Sequence, residues 1–177
     1  MFEFQHRKLE SRQESRKLYE QKKLKILLSN KVLSSSLILI GNKLITDLGE
    51  ITYIKGNVSL TYSSIKSLSN LKQVTQYIDL DYSDIEDLGN LEIIGGFLSL
   101  ENCKYFKDFK KINFIGTYLY LSDFNLIIPK NIKFGRGKGY KRPIRIRNGP
   151  VYYDFESIEE YENERNKNLK FGICQHL

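Results

Sequence analysis

The chain has 177 residues, 41% of them hydrophobic, with 12 Tyr, 10 Phe, no Trp and a formal charge of +7. This length and apolar content fit one modest domain with a real core plus appendages, not an array of domains. The charge is unevenly placed, at net +5 over residues 1–36, −3 over 37–124, +8 over 125–150 and −3 over 151–177. That division speaks against a uniform nucleic-acid binder.

The N-terminal stretch MFEFQHRKLESRQESRK has no apolar h-region, and no segment approaches the length of a membrane span. Cys103 and Cys174 form no CxxC pair, so reduced thiols in a soluble cytoplasmic protein are expected. Alanine is absent while Lys, Asn, Ile and Tyr abound, the bias of an AT-rich coding sequence.

Residues 1–30 read as a basic helical arm and cap. From Gln5 to Lys17 only Leu9 is aliphatic, so the arm has no apolar stripe to bury and should project. Leu24, Leu27 and Leu28 then give an apolar face suited to covering a first rung.

Residues 31–126 repeat. The runs beginning at Ile45, Ile65 and Ile85 align without a gap at a spacing of 20, and a fourth from Phe106 needs one extra residue. A weaker unit starts near Leu24, with its strand at Leu37–Gly41. A fixed period near 20 is the signature of a solenoid, whose units cover each other's apolar edges and whose surfaces usually bind partners. Pairs such as Ile78-x-Leu80 have the strand period, with both side chains inward. The preceding spacing of three (65, 68, 71, 74) suggests coil, a 3₁₀ turn or a brief helix on the return limb. The expected class is α+β, with one parallel β-sheet, an N-terminal helix and a C-terminal helical cap.

Written from the strand, Val58-x-Leu60-x-x-Ser63-x-Ile65-x-x-Leu68 resembles the LxLxxNxLxxL pattern of leucine-rich repeats, over roughly residues 37–126. The likeness departs at the family's asparagine, here Lys43, Ser63, Ser83, Cys103 and Phe124. Small chains of this style are similar to accessory proteins of phages and mobile elements. That likeness implies an inhibitor of a host defence nuclease, such as a CRISPR effector.

Alternation turns Asn57, Ser59 and Thr61 outward, with Tyr77, Asp79 and Asp81, then Phe97, Ser99 and Glu101, then Tyr118, Tyr120 and Ser122. These rows make a patch roughly 15 Å across the rungs. Its aromatics are suited to be binding anchors, and its carboxylates suit a protein or ribonucleoprotein with a basic surface. The expected protein-binding residues are Tyr77, Asp79, Asp81, Phe97, Glu101, Tyr118 and Tyr120. The alternative is an ordinary solvated strand face. Asp79, Asp81 and Glu101 also invite a hard-cation or hydrolase reading, but no histidine or glycine-rich loop accompanies them.

Residues 127–150 hold eight basic and no acidic side chains, with Phe134 and Tyr140 interleaved and glycines at 135, 137 and 139. A flexible loop is expected, followed by a last strand through Ile144 and Ile146. Lys130, Lys133, Arg136, Lys138, Lys141, Arg142, Arg145 and Arg147 could neutralise phosphates of RNA or single-stranded DNA. Alternatively the loop is simply solvated, or docks on the acidic C-terminal helix. Over residues 151–177, a helix from Asp154 to Lys170 should use Phe155, Ile158 and Tyr161 as a cap. Catalysis has little support: His6 and His176 are the only histidines, and Cys103 sits at an inward position. A non-enzyme without cofactor or metal is expected.

Overall fold

A computed structural model describes residues 2–122, 124–135, 141–148 and 150–170. Helix α1 (Phe2–Leu28) leads into strands β1 (Val32–Leu33) and β2 (Leu37–Ile38). Pairs of short strands follow: β3 (Tyr53–Ile54) and β4 (Val58–Ser59), β5 (Gln73–Val74) and β6 (Ile78–Asp79), β7 (Ile93–Ile94) and β8 (Leu98–Leu100), β9 (Phe114–Ile115) and β10 (Leu119–Leu121). Strands β11 (Lys133–Phe134), β12 (Ile144–Asn148) and β13 (Val151–Phe155) and helix α2 (Ile158–Lys170) complete the chain.

Together they form a β-solenoid of about 5 turns. Val58, Ile78, Leu98 and Leu119 stand side by side in parallel register, so the fourth copy's extra residue is absorbed between β8 and β10. The return limb differs from the expected coil, turn or brief helix. It carries the two-residue strands β3, β5, β7, β9 and β11, which with β1 build a second, six-stranded sheet. Those strands are too short for a period of two to appear in the sequence. They are held by bonds to the preceding coil, such as the amide of Lys72 donating to Thr52 O at 2.8 Å.

Inside, each coil contributes one residue to each of several apolar columns. Ile65, Leu68, Leu71, Val74, Ile78 and Leu80 are fully buried, as are Ile85, Leu88, Leu91, Ile94 and Leu98 above them. Each such aliphatic side chain contributes about 1.5–3 kcal/mol relative to exposure. From the second coil on, the asparagine position of the repeat also points inward, whereas Lys43 in the first coil is exposed. Ser63 and Ser83 are buried, and the Cys103 thiol donates to Leu80 O at 3.0 Å.

Each of the first four coils turns two corners through the left-handed backbone region. One corner is Gly41, Tyr62, Tyr82 and Asn102 in successive coils, the other Gly49, Ser69, Gly89 and Lys110, with φ between 49° and 67°. At the second corner the residue two places earlier accepts the left-handed amide. Asp47, Ser67, Asp87 and Asp108 receive the N–H of Gly49, Ser69, Gly89 and Lys110 at 2.7–3.1 Å. Such side-chain-to-backbone turns suit Asp and Ser.

Both ends are capped. Leu24 is buried against the first coil and Leu27 and Leu28 pack beside it, while residues 13–23 of α1 are exposed. At the other end, the expected helix from Asp154 begins only at Ile158. Residues Val151–Phe155 instead run antiparallel to β12. Val151, Tyr152 and Tyr153 favour a strand, and Ser157 then caps α2 by accepting the amide of Glu160 at 3.1 Å. No helix among the described residues is long and apolar enough to cross a membrane.

Candidate protein-binding face

The site is the outer face of the seven-stranded sheet β13-β12-β10-β8-β6-β4-β2. Strand register sets Ser59, Asp79, Ser99, Tyr120, Arg145 and Asp154 in one ladder. Asn57, Tyr77, Phe97 and Tyr118 flank it on one side, and Thr61, Asp81, Glu101, Arg147 and Tyr152 on the other. All seven expected protein-binding residues therefore share one face. They are not equally open: Ser59, Ser99 and Glu101 are buried, whereas Tyr77, Phe97, Tyr118 and Tyr120 are half-buried. Short side chains sink between longer ones on a ladder, which alternation alone does not reveal.

The aromatics form a continuous cluster. Tyr77 and Phe97 stack at 4.7 Å with rings 2° from parallel. That distance equals the spacing of neighbouring strands, so identical rotamers in successive coils bring the rings into contact. Phe97 meets Tyr120 edge-on at 5.6 Å, and Tyr120 lies 5.7 Å from Tyr118. A second stack, Tyr62 on Tyr82 at 4.7 Å, stands exposed at the left-handed corner beside this face. These two tyrosines were missed in the sequence, although their spacing of 20 marks them as one column. A tyrosine in left-handed backbone costs roughly 1–2 kcal/mol more than glycine would.

The electrostatics join two regions that the sequence had separated. Arg145 and Arg147, expected in a nucleic-acid-binding segment, lie on β12 and face the same way as the carboxylates. Arg145 makes a two-pronged ion pair with Asp154, at 2.6 and 3.1 Å, while its guanidinium lies 5.8–5.9 Å from the rings of Tyr118, Tyr120 and Tyr152. Arg147 donates to Glu101 Oε2 at 3.2 Å and lies 5.8 Å from the Tyr152 ring. Arg142 pairs with Glu156 at 3.5 Å. Lys130, Lys133 and Lys141 are exposed, with Lys133 on β11 of the other sheet. Arg136, Lys138 and Tyr140, and also Cys174 and His176, lie outside the described residues, as do the side chains of His6 and Leu9.

Burial raises the carboxyls of Asp79, Asp81 and Glu101 above their ordinary range. Asp81 is partly compensated, accepting from Ser99 Oγ at 2.6 Å and the Glu101 amide at 2.9 Å. Asp79 accepts only the Asp81 amide, at 3.2 Å, and no cation pairs with it among the described residues. Burial likewise pushes the Cys103 thiol up to about 12, which makes it a poor nucleophile near neutral pH. No group of three His, Cys, Asp or Glu side chains among the described residues is arranged to hold a metal ion.

A raised folded-state carboxyl favours folding below the unfolded range and loses that advantage as pH rises through its own titration. Asp79→Asn is therefore expected to raise Tm at pH 7, with the gain shrinking as pH falls through the raised titration of Asp79 and gone once pH is below the ordinary carboxylate range. Thermal melts of both proteins across pH 3–8 check this. A lower Tm for the variant at neutral pH contradicts it.

Compared with models of protein families, with curated proteins and with solved structures, the chain matches none.

Proposed function

We propose that this chain is a non-catalytic interaction protein whose outer sheet face grips a protein or ribonucleoprotein with a cationic surface. The carrying observation is the Tyr77–Phe97–Tyr120 cluster set beside Asp79, a half-buried carboxylate that no cation among the described residues pairs with, on a rigid ladder of strands. Rigid aromatics bury large area at little cost in side-chain entropy, and centrally placed ones dominate binding energy. The stacked Tyr62 and Tyr82 extend the same face in a strained backbone, which fits a surface kept for contact rather than stability. The solenoid likeness to leucine-rich repeats and the AT-rich composition support a phage-encoded inhibitor, with a host defence nuclease such as a CRISPR effector as partner class.

A direct RNA or single-stranded DNA contact through residues 130–147 has less support, because Arg142, Arg145 and Arg147 already meet carboxylates. The readings part on mutation. Combined replacement of Tyr77, Phe97 and Tyr120 by alanine is expected to abolish capture of the partner from nuclease-treated host lysate, each ring being worth about 2 kcal/mol or more. Capture lost only when Lys130, Lys133 and Lys141 are replaced, with a steep fall on adding salt, would establish the nucleic-acid reading instead.

A further inference from the structure

We infer that the partner anchors on this face through an arginine, its guanidinium lying on the side of Tyr77 away from Phe97 and pairing with Asp79. The inference rests on the interaction reading above and specifies the group recognised. The chain itself supplies the precedent. Toward its C-terminal end the same face presents tyrosines and carboxylates, and there β12 lays Arg145 over Tyr118, Tyr120 and Tyr152 and against Asp154. Two residues on, Arg147 lies by Tyr152 and pairs with Glu101. Both guanidiniums thus combine a ring with a carboxylate, and the face is satisfied there from within.

Three coils earlier Tyr77 and Asp79 repeat the ring and the carboxylate, and no cation among the described residues pairs with Asp79. Tyr77 stacks one ring face on Phe97, and its neighbour in the preceding coil is the small Asn57, whose Oδ1 accepts the Tyr77 amide at 3.4 Å. Asp79 lies two residues from Tyr77 on the same face, and its ladder neighbour toward the N-terminus is only Ser59. A flat guanidinium fits between ring and carboxylate, because it stacks on aromatics and donates in a fork that an ammonium lacks. Asp79 ends β6 and Asp81 stands two residues on at the start of the following turn, at most about 6.6 Å farther along the chain. An extended segment with arginines at alternate positions, as in Arg145-Ile146-Arg147, matches that separation. The net charge of −3 over residues 37–124 favours such a cationic strand over an acidic one.

The probe is the peptide acetyl-Ile-Arg-Ile-Arg-Asn-amide, copied from β12, with its Arg→Lys counterpart, titrated into the full isotopically labelled chain by NMR. The arginine peptide is expected to shift the amides of Tyr77, Asp79 and Asp81. The lysine peptide should bind roughly fivefold more weakly, and Asp79→Asn should weaken the arginine peptide about tenfold. Equal binding of the two peptides, indifference to Asp79→Asn, or the absence of shifts at these residues overturns the inference. Its failure is separable from that of the broader reading. A partner lost on replacing Tyr77, Phe97 and Tyr120, yet held equally by Asp79→Asn, keeps the interaction face and removes the arginine.

Discussion

Tyr161→Ala is expected to strip the C-terminal cap and lower stability by about 3–5 kcal/mol, the range for emptying a buried aromatic site. Tyr161 is fully buried, and its hydroxyl donates to Leu126 O at 2.6 Å. Its ring lies parallel to Phe124 at 6.1 Å and meets Phe155 edge-on at 5.7 Å. This one residue of α2 therefore seals the last coil, fixes the chain after β10 and holds the base of β13. Because coils contact only their neighbours, the loss should spread inward from that end. Hydrogen exchange should show protection lost from β12 and β13 and kept in β6 and β8, with denaturant unfolding giving the free energy. Tyr161→Phe keeps the packing and should cost only about 1 kcal/mol. An alanine variant that loses less than the phenylalanine one would mean that α2 is not the cap.

Gly116→Ala should be the most damaging single methyl in the solenoid. A Cβ there would lie 1.9 Å from the carbonyl oxygen of Gly95, just as a Cβ added at Gly95 would lie 2.0 Å from Thr75 O. The obstacle is backbone held in a ladder, with the Gly116 amide donating to Ile94 O at 2.8 Å and that of Gly95 to Val74 O at 2.9 Å. Neither carbonyl can yield without opening a coil. Overpacking of this kind costs about 1–3 kcal/mol or more, which for a chain of this size is a Tm drop of roughly 5–10 °C. Gly41 is the control. Its φ is +67° but nothing lies within 4 Å of an added Cβ, so Gly41→Ala should cost only about 1 kcal/mol of backbone strain. Equal losses for the two variants would place the cost in conformation rather than space.

Much of this architecture is legible in the residues. Ile65, Leu68, Leu71, Val74, Ile78 and Leu80 recur 20 places on, and recurrence at fixed spacing is what coil-on-coil burial requires. The outward set at Tyr77, Asp79, Phe97 and Tyr120 follows from alternation on those strands. The second sheet does not, since a two-residue strand has no period to read and its partners lie a full coil away. Nor does the meeting of Arg145 with Asp154 or of Arg147 with Glu101, separated by 9 and 46 residues. Neither pairing has a sequence signal, because the hairpin β12–β13 that carries Arg145 and Arg147 onto this face is set by tertiary register. At the base of that hairpin Asp154 and Phe155 lead within three residues into α2, so in the sequence they read as part of its helical pattern.

The paired left-handed corners have an evolutionary consequence. Each fixes where a winding bends, and the aspartate or serine that supports the second travels with its own module. A duplication or excision of twenty codons would preserve both bends and both hydrogen-bonding ladders, lengthening or shortening the rod without refashioning either cap. The span of surface offered to another molecule can thus change in whole increments, while the side chains displayed on it diverge independently.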